Sequence, residues 1–436
     1  MQFRSTQAHE PLVSFKEAVL RCLPPDGGLY VPAMIPDLRQ FFLYMDSETA
    51  FPELAGTLAP ALLQGELNPF SASRVAESAF RFEPELQRLD GEFSLLNLYN
   101  GPTGVFKDFG ISFLAAVMEE LLKSSGRAMI ISAARGDTGV SIARAFAGRE
   151  GIVCVILYPS GPIRGLDPES FVPRGGNIIP IQIRGTFDDC QRLINETIND
   201  REFSERYGIT SANAINPGRL LPQSFYYLYA FTRIKEIVQG ELVFSVPSGN
   251  FGNLIAGLYA WKFGMPVNGF IAAMNANNAF GGLIQGEKFT VNRLIHTCSP
   301  ALDVTNPSNY ARMVSFYEEA PAVMRNMVYP AAINDKTTLA VMEKVWKKYG
   351  VFLDSHTAVA FAAAEQFAAS RAYSGQVHTV VLATGHPAKE PGLIVKTTGQ
   401  SIPVPERFLA LQEKADPVAV IDPELAAVEG AIASCF

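Results

Sequence analysis

Residues 128–158 read AMIISAARGDTGVSIARAFAGREGIVCVILY. Ala128–Ser132 and Ile152–Tyr158 are short apolar runs of strand length. Between them Arg135-Gly-Asp-Thr-Gly139 forms a turn, and Val140–Ala147 places apolar residues at helical spacing. Strand, turn, helix, strand is a βαβ unit, because a helical crossover returns the chain to run parallel to its first strand. Parallel sheets carry helices on their faces, so the class is α/β.

The pattern extends in both directions. Upstream, Phe109–Leu122 is an apolar helix; downstream, Ile178–Ile183 reads as a strand and Thr186–Ile198 as a helix. Leu242–Val246, Phe270–Met274 and Thr379–Ala383 are further strands. Residues before about 90 differ. Turn residues such as Pro24-Pro25-Asp26-Gly27-Gly28 punctuate helical patterns at Leu54–Leu63 and Ser71–Phe80. The expected division is a mostly helical N-terminal domain over 1–92, an α/β lobe over 93–225, and a second lobe over 226–436 whose tail is a packed extension.

Composition narrows the class. Hydrophobic residues make up 48% and charged residues 18%, as in a large globular enzyme with several domains. Thirty-six Lys and Arg against 43 Asp and Glu give a net charge of −7, which argues against nucleic acid as a partner. No apolar run is long enough to span a membrane, and the start lacks the apolar core of a signal peptide. Five scattered cysteines fit neither a disulfide framework nor a metal site, so the chain is expected in a reducing cytoplasm.

Three features carry chemistry. Lys107 lies between the turn Asn100–Gly104 and an apolar helix. Such a lysine is either a surface residue or, when desolvated, a nucleophile at neutral pH. Ser248-Gly-Asn-Phe-Gly-Asn253 follows a strand and opens a helix, which suits a plain turn or a phosphate cradle of convergent N–H groups. Arg135–Gly139 is a second such turn at a strand's carboxyl end, where ligands of α/β sheets bind. A phosphorylated aldehyde, pyridoxal phosphate, meets the demands of both lysine and cradle. His356 and His386 are either acid–base groups or structural, hydrogen-bonding residues, and the latter reading is preferred.

These segments resemble threonine synthases, fold-type II pyridoxal-phosphate enzymes of the tryptophan-synthase β family. The matching motifs include Asp26-Gly-Gly-Leu-Tyr-Val-Pro32, Gly101-Pro-Thr103, Phe106-Lys-Asp-Phe109, Gly136-Asp-Thr-Gly139, Asn216 with Arg219-Leu-Leu-Pro-Gln223, Pro247-Ser-Gly-Asn-Phe-Gly252, His356-Thr-Ala-Val-Ala360 and His386-Pro-Ala-Lys389. The resemblance implies two parallel-sheet lobes around the cofactor, with Lys107 as the Schiff-base and catalytic lysine. It places Ser248, Gly249, Asn250, Phe251, Gly252 and Asn253 at the cofactor phosphate, Thr384 at the pyridine nitrogen and Asp137 near the 3-hydroxyl. Thr103, Arg135, Gly136, Asp137, Thr138, Gly139, Arg219 and Asn278 are implied to meet the substrate. The implied reaction is conversion of O-phospho-L-homoserine and water to L-threonine and phosphate, in a monomer or homodimer.

Departures from the family pattern gather at the substrate side: Asn100 for a histidine, Arg135 for a small hydroxyl residue, an altered 159–168 segment, Asn278 for an aspartate and Glu390 for a phenylalanine. Arg135 either binds a second anionic group or points to solvent. The departures keep open an alternative, a lyase or replacement enzyme acting on another phosphorylated or anionic amino acid. Intact Lys107 and phosphate loop count against a non-catalytic binding protein.

Overall fold

The computed structural model describes residues 1–123, 126–133, 137–160, 175–278, 280, 293–370, 376–409 and 417–434. Arg135, Gly136, Cys435 and most of the 159–168 segment lie outside the described residues.

Two parallel sheets organise the chain. The six-stranded sheet runs, edge to edge, Val328–Ala332, Gly269–Met274, Glu241–Pro247, Val377–Ala383, Phe93–Asn97 and Glu85–Arg88. Its first five strands are parallel, and Glu85–Arg88 closes it antiparallel. The five-stranded sheet runs Ala419–Ile421, Ile178–Ile183, Ile152–Pro159, Ala128–Ala133 and Ile209–Thr210, all parallel.

Side chains alternate between the faces of each strand. Val380 and Leu382 enter the core shared by both sheets, while Val381 packs outward beneath the helices Asp335–Tyr349 and Ser355–Ser370. Ile130 likewise points inward. Met129 and Ile131 meet Leu193 of the helix Phe187–Asn199, together with Val428 and Ile432 of the final helix, Leu425–Ser434.

The expected lobe boundaries are crossed twice. Phe93–Asn97, assigned to the first lobe, pairs with Val377–Ala383 of the second, because a strand buried on both faces belongs in a sheet interior. Ala419–Ile421, read as part of a C-terminal extension, adds an edge strand to the five-stranded sheet. The N-terminal region is not wholly helical either. Gln2–Ser5 pairs antiparallel with Val13–Ser14 and Tyr30–Pro32. Its aromatic side chains also pack beyond it: Phe51 meets Phe109 edge-on at 5.4 Å, and Phe80 stacks on Phe113 at 6.1 Å. These contacts anchor the helix Lys107–Leu122 from behind and fix the direction of its first turn.

Candidate active site

Lys107 is the first residue of its helix. The turn before it is pinned to the chain that leaves the central strand Val377–Ala383. Phe106 N–H donates to the Thr384 carbonyl at 3.0 Å, and His386 N–H donates to the Gly104 carbonyl at 2.9 Å. Thr384 and Lys107 thus meet at the carboxyl end of a parallel strand. Behind Lys107, buried Asp108 accepts from Thr103 N–H at 2.8 Å and Thr103 Oγ1 at 2.6 Å, and Ser141 Oγ lies 2.7 Å from that hydroxyl. Burial pushes the Asp108 carboxyl above its ordinary range despite these bonds.

Burial also lowers the Lys107 pKa, because an ammonium loses its hydration there. Asp137 works against this, while the nearby charges of Arg219 and Lys389 reinforce it. Burial opposes ionisation of Asp137, but Lys389 and Lys107 outweigh it and hold the carboxylate below its ordinary pKa. Lys389 makes an ion pair with Asp137 and donates to the Thr103 carbonyl at 2.9 Å. The helix Asp137–Phe146 follows a strand of the smaller sheet, and Lys389 follows a strand of the larger. This ion pair therefore spans the two sheets at the lysine.

The strand Glu241–Pro247 lies beside Val377–Ala383 and runs parallel to it, so Ser248–Asn253 leaves the sheet at the same edge as Thr384. Phe251 takes a left-handed backbone, φ 59°, just before the helix Gly252–Lys262. A side chain at Gly249 would sit 2.9 Å from the Ala301 carbonyl, so only glycine lets the two backbones approach. Buried Asn253 accepts at Oδ1 from Tyr226 and Tyr227 hydroxyls at 2.7 and 2.8 Å, which turns its amide nitrogen away from them. Among the described residues that Nδ2 has no acceptor. Arg219, 4% exposed, donates to the Ala212 carbonyl at 2.7 Å, while its Nε has no acceptor. Burial lowers its pKa to about 10, and no carboxylate among the described residues faces it.

Three family models match: the threonine synthase N terminus over residues 2–80, the pyridoxal-phosphate-dependent enzymes over 81–385, and the threonine synthase C-terminal region over 357–432. A threonine synthase from Serratia marcescens is 32% identical over 412 residues, covering 94% of each chain. The chain belongs to the threonine synthase family. The crystal structure of threonine synthase from Escherichia coli superposes with a TM-score of 0.88 at 30% identity over the full length of both chains. A pyridoxal-phosphate-bound threonine synthase from Brucella melitensis gives 0.88 at 28% identity, covering 99% of this chain and 98% of that one. The fold is that of a fold-type II pyridoxal-phosphate enzyme, and pyridoxal phosphate is its cofactor.

The donor set of this threonine synthase family member suits that group. A helix N-terminus, an orphaned buried amide and an uncompensated guanidinium together demand an anion. A buried amine biased toward its neutral form suits an aldehyde. Other expected residues fall in different settings. Thr103 is fully buried, with its hydroxyl bonded to Asp108. Asn278 is exposed and accepts from Phe280 N–H at 3.1 Å. His386 caps the turn Pro387–Lys389 by accepting from Ala388 N–H at 3.1 Å, and burial takes its pKa down to about 4.

Sequence reasoning passed over Lys389, Tyr226 and Tyr227 as site residues. Lys389 closes a motif quoted for the family, which was the available signal. The tyrosines lie in an apolar helix and carry none.

Proposed function

We propose that this protein converts O-phospho-L-homoserine and water to L-threonine and phosphate. The carrying observation is the buried amine of Lys107, its pKa lowered by desolvation, at the sheet edge where Thr384 and the Ser248–Asn253 loop also lie. Family membership over nearly the whole chain favours this reading over a lyase or replacement enzyme with another substrate.

Pyridoxal phosphate, when bound, supplies an aldehyde for amines and a ring that takes up the electron pair left at a deprotonated carbon. The Lys107 amine moves protons at the α and β carbons of the substrate, taking them up in its neutral form and returning them as the ammonium. Ser248–Asn253 holds the cofactor phosphate, with Asn253 oriented by Tyr226 and Tyr227. Thr384 would offer the pyridine nitrogen a hydroxyl and not a carboxylate. Asp137, paired with Lys389, would lie near the cofactor's 3-hydroxyl, and the helix opening at Asp137–Gly139 would receive the substrate carboxylate. Arg219 supplies positive charge to an anionic group of cofactor or substrate.

Among the described residues no helix is long and apolar enough to cross a membrane. We place the enzyme in a reducing cytoplasm, on its free thiols.

Phosphate release from O-phosphohomoserine with threonine in equal amount is the expected result. Release accompanied by 2-oxobutanoate and no threonine overturns this reading in favour of a lyase.

A further inference from the structure

His356 lies outside every role assigned above, yet it connects to the phosphate loop. Ala301 N–H donates to His356 Nε2 at 3.1 Å. An amide can only donate, so Nε2 carries a lone pair, and the ring proton sits on Nδ1. That proton goes to Asp354 Oδ2 at 2.8 Å. Glu390 Oε1 lies 3.7 Å from the same nitrogen. Glu390 is itself fixed, accepting from Ser355 N–H at 2.7 Å and Ser355 Oγ at 2.8 Å.

On its other side Ala301 backs the cradle. Its carbonyl is one of the atoms that keep Gly249 from carrying a side chain. The segment around Ala301 is held elsewhere by Asp303, which accepts from Asn275 Nδ2 at 2.9 Å and Thr297 Oγ1 at 2.7 Å. A continuous chain therefore runs from the carboxylates through the imidazole and Ala301 to Gly249.

We propose that His356 is a positioning residue that seats the Ser248–Asn253 loop through Ala301, and that Glu390 sets the pH at which this support lets go. Protonation of Nε2 places two donors face to face and expels the Ala301 amide. Four charged groups act on the ring. Asp354 and Glu390 favour its charged form, and Lys107 opposes it; Asp137, whose own carboxylate responds to the ring, completes the set. Burial disfavours the charged ring, but the carboxylates prevail, so its pKa is raised. The supporting form is thus present at higher pH and lost as pH falls. Removing the Glu390 charge moves that loss to lower pH.

The inference rests on the cofactor reading, and its test reads cofactor binding without turnover. Equilibrium dialysis against pyridoxal phosphate from about pH 8 to about pH 6 measures affinity for the wild type, Glu390→Gln and His356→Gln. Loss of one backbone hydrogen bond predicts a wild-type fall of about fivefold. Glu390→Gln is expected to bind about fivefold tighter than the wild type at the acid end and to match it at the alkaline end. His356→Gln keeps an acceptor that does not titrate, so its profile flattens. Coincident profiles for all three proteins, or a uniform weakening of Glu390→Gln at every pH, overturn the proposal alone. Failure of every form to bind at any pH overturns the cofactor reading and this inference with it.

Discussion

Lys107 takes up protons in its neutral form, and burial lowers its pKa toward that form, helped by Arg219 and Lys389 and opposed by Asp137. Lys107→Ala removes both nucleophile and base; turnover is expected to fall by about three orders of magnitude or more, measured by phosphate release. Asp137 carries the complementary charge. Its folded pKa lies below the unfolded value, so its contribution is present above the ordinary carboxylate pKa and disappears as pH falls through the folded value. Asp137→Asn should cost about 1–2 kcal/mol at neutral pH by urea unfolding, and the gap to the wild type should close below about pH 4. Lys107 and Ser248–Asn253 could be picked out as candidates in the sequence because covalent chemistry and phosphate binding impose residue types on short, contiguous loops. The Lys389–Asp137 pair and the Glu390–His356 contact were not, since each joins segments that only the fold brings together.

Among the elements, the helix Lys107–Leu122 depends on one close approach. A methyl at Gly110 would lie 2.3 Å from the Arg219 carbonyl, so the turn carrying Arg219 sits directly on the helix. Gly110→Ala should destabilise the protein by about 1–3 kcal/mol in urea unfolding, with a weaker cofactor affinity because Lys107 and Arg219 are forced apart. The long helices and the doubly buried strands could be read from periodicity and apolar runs. Val13–Ser14 and Ala419–Ile421 could not: strands of two or three residues carry no period, and only their partners define them.

Across the whole molecule, the last segment finishes the smaller sheet and covers its outer face with Val428 and Ile432. A chain ending at Gln400 should lose amide-exchange protection at Ile178–Ile183 while keeping it at Val377–Ala383. Thiol chemistry reports burial across the molecule. Burial pushes Cys22, Cys190 and Cys298 up to about 12 and raises Cys154 further. Alkylation at neutral pH, followed by peptide mapping, should leave these four unmodified in the native protein and label them after denaturation.

The strand Phe93–Asn97 also ties the fold to the order of synthesis. Its parallel neighbour, Val377–Ala383, is translated 280 residues after Asn97. At ordinary elongation rates that interval is roughly half a minute. Throughout it, a strand destined for burial on both faces, with Phe93, Leu95 and Leu96 uncovered, waits on the ribosome with only Glu85–Arg88 beside it, a natural client for a holding chaperone.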